Sequence, residues 1–160
     1  MFLVKNIDQY DNTNIYFCDP IKNNIMHEGM FIRIIYSTPL ITLNGINLVV
    51  HLNDVNIEKY YNKYKCTFNI NTHRDIIDNI RLIEMNLLKS INIYNKSPQY
   101  KVFEQLKNGN IKLFLDNDNM RNNILSNTVT SNLFMLKISG IWETDTQYGI
   151  TYKFSKIAPI

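Results

Sequence analysis

NLFMLKISGIWETDTQYGITYKFSKI, residues Asn132 to Ile157, decides how the rest of the chain is read. Phe134, Leu136 and Ile138 alternate with Lys137 and Ser139, and a polar stretch with Thr144 to Gln147 at its tip separates that run from a second one. Two long antiparallel strands joined by a turn have this pattern. Strict alternation puts Phe134, Leu136 and Ile138 on the face that leads to Trp142, while Lys137 and Ser139 point the other way. Trp142 then reads either as the last core residue of its strand or as a stacking ring beside the turn.

Upstream, IKLFL (Ile111 to Leu115) reads as a strand, and the Asn-rich Asp116 to Ser131 as a long mobile loop. MFIRIIYS (Met30 to Ser37) and INLVVHL (Ile46 to Leu52) are strand-like, with Pro39 and the hairpin dipeptide Asn44-Gly45 between them. YKCTFNI (Tyr64 to Ile70) alternates Tyr64, Cys66, Phe68 and Ile70 with Lys65, Thr67 and Asn69. The period then lengthens to that of a helix. Ile76, Ile80, Ile83, Leu87 and Ile91 form one stripe, which predicts a helix over about 73–91 with Thr72 as cap and Asp75 near its positive end. A shorter helix is expected after it, capped by Ser97, with Pro98 in its first turn, Gly109 past its end, and Val102, Phe103 and Leu106 inside.

Residues 1–29 read as a peripheral N-terminal segment with short apolar runs at Met1 to Val4 and Ile15 to Cys18, and residues 30–157 as the body of a single domain spanning 1–160. The expected class is mainly β with a helical insert (α+β). Three meandering strands, helices and a closing pair is the element order of an OB-like antiparallel β-barrel, with the helices between the third and fourth barrel strands. An open sheet with helices on one face has the same order.

The composition supports a folded chain that needs no special staple. Of 160 residues, 45% are apolar, 12% aromatic and 19% charged, enough for a core without disulfides or a structural metal. Cys18 and Cys66 are far apart and read as buried free thiols. The 24 Asn, 24 Ile and 13 Lys beside a single alanine, Ala158, follow A/T-rich codons and fit the genome of a virus or parasite. No run approaches the ~18–20 apolar residues of a membrane span, and the start is no secretory signal, so an intracellular location is expected, host cytoplasm or nucleus if viral. The net charge of +3 permits a polyanion partner without requiring one.

Catalytic signatures are missing: no nucleophile elbow, no phosphate loop, no H-E-x-x-H. His27-Glu28, His51 with Asp54, and His73 with Asp75 read as turn or capping histidines rather than metal ligands. Neither an enzyme nor a cofactor is expected. EKYYNKYKCTF (Glu58 to Phe68) interleaves Lys59, Lys63 and Lys65 with Tyr60, Tyr61 and Tyr64. Rings that stack on bases beside ammonium groups that follow phosphates hold single strands without reading sequence. The terminal hairpin adds Lys137, Trp142, Tyr148 and Lys153, and the first long strand adds Arg33 and Tyr36.

LKISGIWETDTQYGITYKF (Leu136 to Phe154) resembles the closing hairpin of OB-fold single-stranded DNA-binding proteins of large DNA viruses and phages, and FIRIIYSTPLITLNGINL (Phe31 to Leu48) resembles an opening strand pair from the same group. The resemblance implies a protein that coats single-stranded DNA, or RNA, in replication, repair or recombination, as a monomer or homo-oligomer. Many such proteins end in an acidic recruiting tail, whereas this chain ends KFSKIAPI. The alternative expectation is a structural or assembly protein of a large DNA virus, with the same apolar surfaces facing protein partners.

Overall fold

A computed structural model describes residues 4–114 and 133–157; the loop expected at 116–131 lies outside the described residues. In chain order the elements are β1 (Lys5–Asn6), β2 (Ile15–Phe17), β3 (Ile21–Lys22), β4 (Met30–Ser37), β5 (Thr42–Asn44), β6 (Ile46–His51), β7 (Asn56–Tyr60), β8 (Lys63–Thr67), α1 (Arg74–Ser90), β9 (Ser97–Gln99), α2 (Lys101–Lys107), β10 (Asn110–Leu113), β11 (Leu133–Glu143) and β12 (Gln147–Lys156). The protein is mainly β with a helical insert. The hairpin β11–β12 is its spine, closed by the turn in which Thr144 N–H donates to Gln147 O at 2.8 Å.

The strands form one mixed sheet whose hydrogen-bonded path runs β1-β6-β11-β12-β10-β8-β7, with β4 joined to β11 and carrying β2, β3 and β5. Two expectations need correction. The sheet is not purely antiparallel, because β1 lies parallel to β6, and both β9 and β10 lie parallel to β12. Among the described residues it does not close into a barrel, since the end strands β1 and β7 each pair with a single neighbour on the path. The cause is visible at β12: the chain joins its edge as β9, lifts off as α2, and rejoins the same edge as β10. Both runs enter that edge in the direction of β12, an arrangement that the intervening helix makes possible as a crossover.

Local chemistry explains the other departures. The turn between β4 and β5 is at Thr38–Ile41, where Pro39 presets the second residue and Thr38 N–H donates to Ile41 O at 2.8 Å. Asn44-Gly45, expected as that turn, is instead a kink. Gly45 has φ +89° and a Cβ there would stand 2.7 Å from Ile138 O, so the chain bends from pairing with β4 to pairing with β11. α1 spans nearly the predicted stretch, but His73 rather than Thr72 sits at its cap position. Ser97 and Pro98 lie in β9, and α2 starts three residues later than Pro98 suggested, at Lys101.

The core is one cluster in which α1 (Ile77, Ile80, Ile83, Leu87) and α2 (Val102, Leu106) cover the sheet face made by Ile34, Leu48, Val50, Cys66, Ile111, Leu113, Leu136 and Phe154. Among the described residues no helix is long and apolar enough to cross a membrane. Cys66 is buried and Cys18 half-buried, and both are free thiols. The helices leave the opposite face uncovered; it carries the charge, with Lys65 and Lys112 exposed, Lys137 and Lys153 half-buried, and Asn47 buried.

Candidate functional site

Register alone assembles the centre of the uncovered face. Lys65 of β8 is the cross-strand partner of Lys112 of β10. Leu113 pairs with Phe154 in parallel register, which sets Lys112 beside Lys153 of β12. Lys153 is in turn the partner of Lys137 of β11. Paired residues share a face, so these lysines form one row across adjacent strands, rooted within about 14 Å at the usual spacing of about 4.8 Å. Glu58 of β7 stands opposite Lys65 at one end, and Asn47 of β6 stands opposite Lys137 at the other. Like charges directly opposite one another destabilise a sheet.

Aromatic rings flank the row. Phe114, just past β10, is held by its N–H donating to Phe154 O at 3.2 Å. Its ring is 38% exposed, with Lys63 Nζ at 5.0 Å and Lys153 Nζ at 5.8 Å from the centroid. Beyond Lys63 the β7–β8 hairpin turns through Tyr61 and Asn62, and Tyr60 and Tyr61 meet edge to face at 4.8 Å. They are 61% and 82% exposed. Tyr61 has φ 54°, a left-handed conformation that costs a bulky residue energy and that Gly or Asn would adopt more easily. A concavity of about 560 Å³ beside the tip is lined by both tyrosines, Lys63, Lys65, Asn110 and Lys112.

Trp142 reaches the same face by an irregularity. Between Ile138 and Gly140 the register of β11 slips by one residue against β12, so alternation reverses. Counting by twos puts Trp142 with Phe134; the bulge puts it with Lys137 and Thr151. The half-buried indole lies across Gly149, where a Cβ would meet Trp142 Cζ2 at 2.7 Å. Phe31 does the same over Gly140, its ring carbons 2.7 Å from the Cβ position. Arg33 is exposed on this face and donates to Asn44 Oδ1 at 3.0 Å.

The buried side positions the wet one. Glu84 of α1 is 1% exposed and accepts from Val102 N–H at 3.1 Å and Phe103 N–H at 2.9 Å, fixing the start of α2. Burial pushes its carboxyl up to about 7, with the two backbone bonds pulling the other way. From α2, Gln105 Oε1 accepts from Lys112 N–H at 3.1 Å and Gln105 Nε2 donates to Tyr152 OH at 3.1 Å. This amide fills the gap in the ladder where β10 has not yet met β12. Burial, then Glu84 and Glu104, push the Tyr152 phenol up to about 12.

Of the residues singled out in the sequence, Lys63, Lys65, Lys137, Lys153, Arg33, Tyr60 and Trp142 share this face, and Tyr61 caps its edge. Lys59 is the partner of Tyr64 and so points to the opposite face of its hairpin. Tyr36, Tyr64 and Tyr148 are 1%, 5% and 7% exposed, core residues with no ring face open to a base. Tyr36 OH instead receives Asn14 Nδ2–H and holds the N-terminal segment. Burial raises the Tyr148 phenol, with Tyr100 adding to it. His73 is 2% exposed and bonded at both nitrogens, accepting from Asn53 N–H at 2.9 Å and bonded to Asn69 O at 2.6 Å. Among the described residues no group of His, Cys, Asp and Glu could hold a metal ion. Lys112, Phe114 and Phe31 went unnoticed in the sequence, although Ile111, Lys112, Leu113 and Phe114 alternate and would have put Lys112 and Phe114 together. Compared with protein-family models, with curated proteins and with solved structures, the chain matches none.

Proposed function

We propose that the protein binds single-stranded nucleic acid, DNA in the first instance, across the uncovered sheet face, and so coats exposed strands in replication, repair or recombination. The observation that carries the reading is the lysine row Lys65–Lys112–Lys153–Lys137 set in register across β8, β10, β12 and β11. Repulsion within the row falls when phosphates lie along it, and Phe114, Tyr60 and Tyr61 supply ring faces beside it for unpaired bases. The finer architecture we infer is OB-like in its element order alone: strands, a helical insert and a closing hairpin whose wet face carries the nucleic acid. No catalytic step belongs to this reading.

The test is titration with oligo(dT) of increasing length, and with duplex, at two salt concentrations. Four phosphate contacts give a log K against log salt slope of about −3 on single strands. Binding that is absent, or indifferent to length and salt, would remove the proposal. A second reading, assembly with protein partners, draws on Leu40 and Ile25, each 91% exposed, and on Tyr16 at 58%. It expects salt-insensitive association and no oligonucleotide binding.

A further inference from the structure

One end of the charged face opens into a groove of about 560 Å³ that the lysine row does not explain. Its floor is aromatic, Trp142 lying over Gly149 and Phe31 over Gly140, and both glycines lack the Cβ that would lift the rings. One wall is the connection from β3 to β4. Asn23, 9% exposed, shapes it by accepting from Ile25 N–H at 3.0 Å and Met26 N–H at 3.3 Å through its side-chain oxygen. Gly29, with φ +130°, lets the returning chain press against Glu143, since a Cβ there would stand 2.4 Å from Glu143 O. Asn23 and Gly29 thus fix the two ends of the wall, and Ile25 stands 91% exposed between them. Arg33, Lys22, Ser139 and Thr151 line the remaining sides.

We infer that this groove takes one nucleotide of the crossing strand, its base laid against the Trp142 indole under the apolar wall of Ile25 and Met26, its phosphate on Arg33. This rests on the single-strand reading and specifies its base-holding subsite. The fit is chemical. A nucleotide presents a flat ring that wants apolar faces, ring edges that want hydroxyls and amides, and an anion that wants a guanidinium; the groove supplies each. Continuity supports the occupant as well. Thr151 lies two residues from Lys153 on the same strand, about 6.7 Å at strand rise, so a chain leaving the lysine row reaches the groove in one step. A base paired within a duplex cannot enter, which makes the groove a selector for unpaired strands.

Trp142 is the only tryptophan, so its fluorescence reports the groove, and the variant lacking Lys112 separates this from the neighbouring concavity that Trp142 lines together with Lys112. The experiment titrates the full chain with dAMP, dTMP and inorganic phosphate, then with oligo(dT), in wild type, Arg33→Ala, Gly149→Ala and the double variant Lys65→Ala/Lys112→Ala. Saturable quenching by the nucleotides but not by phosphate is expected, weakened about tenfold in Arg33→Ala and unchanged in the lysine variant. Gly149→Ala, which forces the indole off its seat, should change the emission before any ligand is added. If oligo(dT) binds with a salt slope while neither it nor a mononucleotide quenches Trp142, the groove inference is overturned and the single-strand reading stands. If mononucleotides quench but oligonucleotide binding does not depend on length, salt or the lysines, the single-strand reading falls and the groove with it, as a subsite of that strand. Quenching by phosphate alone, equal to that by nucleotides, also overturns it, because no base would then be involved.

Discussion

Lys112→Thr is the perturbation that separates a binding row from a decorative one, because it should make the protein more stable and a worse binder. Lys112 faces Lys65 as its register partner and Lys153 across the parallel junction. Opposed like charges on a sheet cost about 0.2–1 kcal/mol per pair, so removing the middle lysine should return about 1 kcal/mol. Threonine keeps strand propensity, and the backbone bond from Lys112 N–H to Gln105 is untouched by the change. A gain of that size raises Tm by about 2–4 °C for a domain of this length. The gain must vanish at about 1 M salt, where the screening length falls to about 3 Å and the wild-type row no longer repels itself. In parallel, the single-strand salt slope should shrink by about 0.7. Melting curves at low and high salt and oligo(dT) titrations in the same buffers read both effects. A variant that is less stable at low salt, or one whose slope is unchanged, would refute the reasoning at its root, since the row would then be neither a strain nor a phosphate track.

Tyr61→Gly should stabilise the β7–β8 hairpin by about 1 kcal/mol by relieving the left-handed backbone, and cost about 1–3 kcal/mol of oligonucleotide binding; thermal melts and titration read the two, and lost stability would show that Tyr61 is placed for folding alone. Glu84 gives a pH prediction with a definite sign. Its folded value of about 7 lies above the ordinary 4.5, so the folded state keeps the proton longer, and the stability linked to it is full below about 4.5 and lost as pH rises towards 7. At about 1.4 kcal/mol per unit the window carries on the order of 3 kcal/mol, and urea melts from pH 4.5 to 8 should show it in wild type but not in Glu84→Gln. Gly140→Ala should destabilise by more than about 2 kcal/mol, because its Cβ would meet Ile32 O at 2.3 Å as well as the Phe31 ring, and a neutral result in a denaturant melt would mean the strands part there easily.

The parts of the fold legible in the sequence were those where one face is wet and one dry over many residues. α1 shows a stripe five residues long that nothing else satisfies, and β11–β12 alternates through most of its length, so both stand close to where periodicity put them. The illegible parts are set by partners distant in the chain. Ser97-Pro98 has every local mark of a helix start, yet the edge of β12 offers Ser97 N–H a carbonyl at Thr146, 2.9 Å away, and Glu84 supplies the cap that Ser97 does not. Closure fails for a similar reason. β9 and β10 share one edge of β12, and no local pattern records which edge a returning strand will choose.

The site was half legible, and the missing half follows from two parities. In Tyr64–Thr67 and Ile111–Phe114 the alternation is regular, so the wet face of each strand can be read by counting, and only the pairing of Lys65 with Lys112 needed coordinates. In β11 counting misleads. Phe134, Leu136 and Ile138 do lead towards Trp142, but the residue inserted at Ser139 inverts everything after it, and an apolar ring that belonged to the core by arithmetic comes out beside Lys137 and Thr151. The mark of that inversion is Gly140. A Cβ there has no room against Ile32 O and the Phe31 ring, so the strand can bend and β4 can approach only where the side chain is absent. One glycine thereby decides which face the only tryptophan joins. The same residue gives Phe31 its seat, so the bulge and the aromatic floor of the groove are a single feature of the sequence.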